Sequence, residues 1–186
     1  MPELDAVFVG DPAPLWASLG FTIDDDGCVR ASGVRFVLGA ESSSIGGFRA
    51  AGDTPIEDEH PHPNGVVALD HVVLTTPDLG RTIADLEGQG HELRRTRDTG
   101  TDARPMRQAF FKAGPVVLEV VGPRTSTGDG PTRFWGLAWT VADLDATAAY
   151  LGERLRPPKT AVQPGRRIAT LDRAAGSTVP MAFMSR

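Results

Sequence analysis

The sequence predicts an α+β fold built of repeated β-α-β-β-β modules. Three observations support this. A motif recurs at a spacing of 65 residues, each copy opens on an apolar strand-like run, and each run leads into a short helical stripe. Leu4-Asp5-Ala6-Val7-Phe8-Val9 aligns with Leu69-Asp70-His71-Val72-Val73-Leu74, and Pro12 falls on Pro77. A further step of 65 carries Asp78-Leu79 onto Asp143-Leu144, and the strand onto Phe134-Trp135-Gly136-Leu137-Ala138-Trp139.

The first copy, residues 1–52, is the shortest and most degenerate. A strand at 4–9 precedes Asp11-Pro12, a cap and first-turn pair. Leu15, Trp16 and Leu19 make the helical stripe, and Gly20 ends it. Strands near 28–31 and 34–39 turn at Ser32-Gly33, with a further short strand at 45–50. Residues 53–66 are acidic and rich in proline, which removes ladder donors and disfavours helix, so they read as a linker or strap.

The second copy, residues 67–122, is the clearest. Its β-branched run at 69–75 is a strand, and Thr76-Pro77-Asp78 opens a helix, with a hydroxyl at the cap, proline at the first turn and Leu79, Ile83 and Leu86 on one face. Gly88 and Gly90 stop that helix, and strands at 91–97, 106–112 and 115–121 follow. A break at 122–131 is rich in Gly, Thr and Ser. The third copy, residues 132–186, has a strand at 134–141 and a helix from Asp143 with Leu144, Ala148 and Leu151 on one face. Strands near 166–171 and 178–184 complete it. The second and third copies form the better pair. The first is expected to cover an exposed sheet edge or to mediate a homodimer.

Composition bounds the function. The net charge is −5 and no basic run exceeds two residues, so no nucleic-acid surface is expected. Cys28 stands alone, which excludes an intramolecular disulfide. The first residues lack a signal pattern and no apolar run reaches the roughly 20 residues of a membrane span. A cytoplasmic protein without a membrane partner is expected. Phosphate-loop, nucleophile-elbow, Cys-x-x-Cys and dinucleotide motifs are missing.

Leu69-Asp70-His71-Val72-Val73-Leu74, then Pro77-Asp78-Leu79, then Val117-Leu118-Glu119-Val120-Val121 resemble the vicinal oxygen chelate superfamily. Glyoxalase I, bleomycin-resistance proteins, methylmalonyl-CoA epimerase and extradiol dioxygenases belong to it. The resemblance implies paired modules whose curved mixed sheet encloses a cleft. It also implies a metal site in which the first strand of a module supplies a histidine and the last a glutamate. Only His71 and Glu119 carry this pattern. The equivalents of His71 are Ala6 and Gly136, and those of Glu119 are about Leu38 and Met181.

Strand periodicity supports the pair independently. Residues 69, 71, 73 and 75 share one face of their strand, and 117, 119 and 121 share one of theirs, so Glu119 lies among valines. A carboxylate there needs a cation, a proton, a hydrogen-bond partner such as Arg107 or Arg133, or water. A divalent ion (Zn, Ni, Mn or Fe) is one solution, with His71, Glu119 and Gln108 as ligands and Glu119 as the catalytic base. His60 and His62 are further ligand candidates, against a solvated strap, and His91 reads as a surface residue. A metal-free cleft is equally credible. It would hold a small-molecule ligand against Trp135, Trp139, Phe110 and Phe111, with Arg107, Arg166 and Arg167 as anion contacts. The leading function is a glyoxalase-type lyase, isomerase or dioxygenase acting on a small oxygenated metabolite. The alternative is a protein of bleomycin-resistance type that sequesters a ligand without turnover.

Overall fold

The computed structural model describes residues 4–41, 45–50 and 61–186. The first copy forms β1 (Leu4–Val9), α1 (Ala13–Ser18), β2 (Cys28–Ala31), β3 (Val34–Leu38) and β4 (Ile45–Ala50). These strands make a four-stranded sheet in the order β2-β3-β1-β4. The rest of the chain forms β5 (Val66–Thr75), α2 (Leu79–Gly88), β6 (Glu92–Thr101), β7 (Arg104–Ala113) and β8 (Val116–Pro123). It continues with β9 (Arg133–Val141), α3 (Leu144–Leu151), β10 (Lys159–Thr160), β11 (Arg167–Thr170) and β12 (Met181–Met184).

These eight strands make one mixed sheet in the order β10-β11-β12-β9-β5-β8-β7-β6. The order is symmetric about its centre. β5 and β9 pair antiparallel, and each pairs parallel with the last strand of its own module, β8 or β12. The first copy follows the same rule with one strand fewer, because β1 pairs parallel with β3. β4 lies antiparallel on the other side of β1, the place β9 takes beside β5.

Register locates the equivalent positions. Val73 lies beside Glu119, Ala138 beside Ala182 and Phe8 beside Val37. The equivalents of Glu119 are therefore Ala182 and Val37, one residue from the expected Met181 and Leu38. A shift of one residue matters because it exchanges the two faces of a strand.

Aspartates cap α2 and α3, whereas α1 starts from Pro12 with no side-chain cap, so the expected Asp11 cap does not form. The Asp78 carboxylate accepts from the Arg81 amide, and the Asp143 carboxylate from the Asp145 and Ala146 amides. The cap of α2 is thus Asp78 rather than the expected Thr76 hydroxyl, and Pro77 lies before the helix rather than in its first turn; Thr76 supports the cap by accepting from the Asp78 amide.

The first copy covers a sheet face rather than an edge. Trp139 is fully buried, and its ring lies 6.0 Å from Trp16, 5.1 Å from Phe21 and 4.9 Å from Phe36, centroid to centroid. Four aromatic rings bury far more apolar area there than a short edge strand offers. Asp11 adds a polar tie, accepting from Ser177 Oγ, from the Thr178 amide and hydroxyl, and from Trp16 Nε1.

The described part of the proline-rich strap is also pinned. His62 Nδ1 accepts from the Thr22 amide at 3.1 Å, so Nε2 carries the hydrogen and faces the Arg30 carbonyl at 3.1 Å. His62 is thereby a buried clamp, neither solvated nor a ligand, and Val66 already belongs to β5. His60 lies outside the described residues. His91 is buried rather than exposed, behind the end of α2.

Candidate functional site

A cleft of about 600 Å³ opens on the face of the eight-stranded sheet opposite the first copy. Its polar side comes from the first half of the sheet: His71 on β5, Glu119 on β8, Gln108 on β7 and Arg97 on β6. Its apolar side comes from the second half and includes Leu137, Ile168, Met181 and Met184.

Glu119 is 7 % exposed. Gln108 donates its amide N–H to one carboxylate oxygen, and the other oxygen lies 3.4 Å from His71 Nε2. Gln108 Oε1 accepts from Arg97 Nε at 2.8 Å. The structure therefore brings His71, Gln108 and Glu119 together. It also adds Arg97, which the sequence reading passed over. The sign was available, since 97 ends the expected strand beside the one that carries Gln108.

An irregularity in β5 shapes the other end. Leu69 pairs with Trp139 and His71 with Ala138, so Asp70 is an extra residue, a bulge. Leu69 joins the core while His71, Val73 and Thr75 line the cleft. The expectation that 69 shares their face fails because the bulge interrupts the alternation. His71 Nδ1 lies 3.3 Å from Asp70 Oδ2, and Arg166 Nη1 donates to Asp70 Oδ1 at 2.8 Å. Burial pushes the Asp70 carboxyl up, but hydrogen bonds from His71 and Arg166, and their charges, outweigh it and hold the group below its ordinary value. With an anionic Asp70, the Nδ1 hydrogen is fixed on the ring. Nε2 is left facing the Glu119 carboxylate. A continuous chain of partners results, from Arg97 through Gln108, Glu119, His71 and Asp70 to Arg166.

A second bulge displays Trp135. Val73 pairs with Gly136 and Leu74 with Phe134, leaving Trp135 without a partner in register. It is 53 % exposed and lines the cleft.

Several expected contacts lie elsewhere. Trp139 is in the core behind the sheet. Arg107 points away from the cleft and pairs with Asp98 at 2.6 Å, its direct cross-strand neighbour. Phe110 sits directly across from Glu119 but is buried under the Arg95 guanidinium, which lies 4.4 Å from its ring centroid. Phe111 is a core residue. Arg166 anchors Asp70 and the Ser185 carbonyl, and Arg167 pairs with Asp145. Apart from Phe110, which shares the face of Glu119 but is covered by Arg95, these residues turn to the other face or find a nearer acid.

The donor set does not fit the divalent ion that the resemblance implies. His71 and Glu119 supply two donors. Gln108 turns its N–H to Glu119 and its oxygen to a guanidinium, whose charge opposes a cation. The equivalent positions of the other half are Gly136 and Ala182. A Cβ on Gly136 would lie 2.6 Å from the Pro180 carbonyl oxygen, so no ligand side chain fits there. Among the described residues no group of three or more His, Cys, Asp or Glu is placed to hold an ion.

No curated protein matches the chain. In structure it is similar to methylmalonyl-CoA epimerase from Mycobacterium tuberculosis, at 20 % identity and a TM-score of 0.51, over 65 % of this chain and 89 % of that one. It is similar to a Streptomyces coelicolor methylmalonyl-CoA epimerase variant in complex with 2-nitronate-propionyl-CoA, at 22 % identity and a TM-score of 0.50, over 64 % and 97 %. A third likeness is to a methylmalonyl-CoA epimerase in complex with methylmalonyl-CoA and NH4+, at 21 % identity and a TM-score of 0.50, over 64 % and 94 %. At such identities the likeness establishes the fold. The model of the Glyoxalase/Bleomycin resistance protein/Dioxygenase superfamily matches residues 70–170, just over half of the sequence. The repeated modules, the symmetric sheet and this match together show that the chain belongs to the Glyoxalase/Bleomycin resistance protein/Dioxygenase superfamily.

Proposed function

We propose that the protein is an enzyme of lyase or isomerase type that binds a small oxygenated metabolite in the cleft and moves a proton on it through Glu119. One observation carries the reading. A carboxylate stands among valines on the cleft wall, held by Gln108 and beside His71, with no arginine or lysine bonded to it among the described residues. A purely structural carboxylate so placed would be expected to take a direct cationic partner. This one is oriented but left able to reach a ligand.

The chemistry follows from the neighbours. A C–H bond next to a substrate carbonyl breaks, its proton goes to a Glu119 oxygen, and the electron pair passes to the carbonyl oxygen. Arg97 has terminal N–H groups without a protein partner among the described residues, and they meet that developing oxyanion. His71, 3.4 Å from the other carboxylate oxygen, can relay the proton and return it. Asp70 and Arg166 position the imidazole. No step runs through a metal, because the donors present do not complete its site. The methylmalonyl-CoA in complex with a neighbour of similar fold is an acyl thioester, a carbonyl compound of the kind this step requires.

The test is deuterium uptake. The protein is incubated in D2O with 2-oxo acids, α-hydroxy ketones and acyl thioesters, and exchange next to the carbonyl is followed by NMR. Exchange that falls at least about 100-fold in Glu119→Gln supports the reading. A ligand that binds the cleft tightly, without exchange or turnover and equally well in Glu119→Gln, would replace it with sequestration. The apolar half of the cleft and the exposed Trp135 favour that second reading.

A further inference from the structure

A second chamber of about 640 Å³ adjoins the Glu119 cleft and shares Thr75 and Val121 with it. Arg104 and Arg133 line it, and no Asp or Glu does. Among the described residues neither guanidinium has a carboxylate or hydrogen-bond partner. Arg94, Arg107, Arg156 and Arg167 do pair with acids. The chain has 24 acidic residues against 19 basic ones, so acids are plentiful. Two unpaired arginines facing one acid-free chamber form a local positive field. The hydroxyls of Thr75 and Thr125 also face it without partners among the described residues.

Register sets the distance. Arg133 pairs with Thr75, and Thr75 with Val121, in one row across β9, β5 and β8. Glu119 lies two residues further along β8. Strand spacing and rise then separate the backbones of Arg133 and Glu119 by about 12 Å. Trp135 stands on β9 two residues from Arg133, on the route between the chambers.

Resting on the reading of the cleft given above, we propose that the substrate is elongated, with a planar middle that stacks on Trp135 and an anionic end group bound by Arg104 and Arg133. The anion is a phosphate or a carboxylate, which guanidinium groups bind through paired N–H donors.

The experiment titrates the whole protein with 2-naphthyl phosphate, 2-naphthoate and neutral 2-naphthol. Trp16 and Trp139 are fully buried, so quenching of tryptophan fluorescence reports Trp135. The His71 ring protons are followed in parallel by NMR. The charged probes are expected to bind about tenfold tighter than naphthol, and the tighter of the two identifies the anion. The Arg104→Gln/Arg133→Gln double variant should lose that advantage and keep its affinity for naphthol and its thermal midpoint. Glu119→Gln should keep the advantage. Equal binding of all three probes, or an advantage that survives the double variant, overturns the anionic subsite and leaves the cleft reading intact. If no probe moves either Trp135 or His71, the cleft reading falls and the inference with it.

Discussion

The Ser32 hydroxyl accepts a hydrogen bond from the Leu69 amide at 2.9 Å, joining the turn of the β2–β3 hairpin to the bulge in β5. A bulge leaves a ladder group without its strand partner, and Ser32 supplies one. The first copy thus bonds to the irregularity that sets Asp70 beside His71. Ser32 holds φ at +56°, in the left-handed region that serine seldom adopts.

Two substitutions separate the bond from the backbone. Ser32→Ala keeps the strained conformation and removes the acceptor, which should cost about 1–3 kcal/mol by urea unfolding. Ser32→Gly removes the acceptor and relieves the backbone, so it should cost less by roughly 1 kcal/mol. Both should shift the His71 ring resonances. Unmoved resonances would show that the bulge stands without Ser32.

Asp11 is 2 % exposed and ties α1 to the segment before β12. Burial pushes its carboxyl up, but bonds from Ser177, Thr178 and Trp16 outweigh that and hold it below its ordinary value of 3.8. A carboxyl lowered in this way stabilises the fold above that value and loses its contribution as pH falls through the folded value. Asp11→Ala should destabilise by about 2–4 kcal/mol at neutral pH, with Asp11→Asn intermediate. The gap between wild type and Asp11→Asn should close below about pH 4 in acid-unfolding series. A gap that widens there contradicts the assignment.

Gly136 occupies the position that would mirror His71, and Pro180 closes it. Gly136→Ala should cost about 1–3 kcal/mol, because the clash is with backbone rather than a flexible side chain. Gly136→His should be at least as destabilised and should bind zinc no more tightly than wild type in calorimetric titration. Stoichiometric tight zinc in that variant would show that the second half of the site can be rebuilt.

The two neighbouring tryptophans on β9 should behave oppositely. Trp139→Ala opens the interface with Trp16, Phe21 and Phe36 and should cost about 3–5 kcal/mol. Trp135→Ala should change unfolding by no more than about 0.5 kcal/mol while weakening naphthyl ligands. A large stability loss at Trp135 would make it a packing residue.

The modular pattern was legible because each element is specified locally. The helix start at Asp143 and the β-branched run Val72-Val73-Leu74 lie within short windows, and the 65-residue spacing shows such windows recurring. The meeting of His71 with Glu119 was legible for a related reason: both lie on strands whose alternation the chain displays. Trp135 against Trp139 was not legible. The two are four residues apart, and simple alternation puts them on one face. The unpaired step falls at Trp135 itself and turns it to the cleft, while Trp139 stays in the core.

By itself, then, the sequence determined the modules, their order and the pair of side chains at the centre of the candidate site. Tertiary structure alone decided what surrounds that pair. Arg97 meets Gln108 only because the β6–β7 hairpin pairs in that register, and Asp70 meets His71 only where β5 carries one residue more than β9. The face covered by the first copy depends on rings brought together from α1, the segment after it, β3 and β9. Local propensity is written in neighbouring residues. Register, bulges and long-range packing depend on the partner strand, and no short window of the sequence contains that partner.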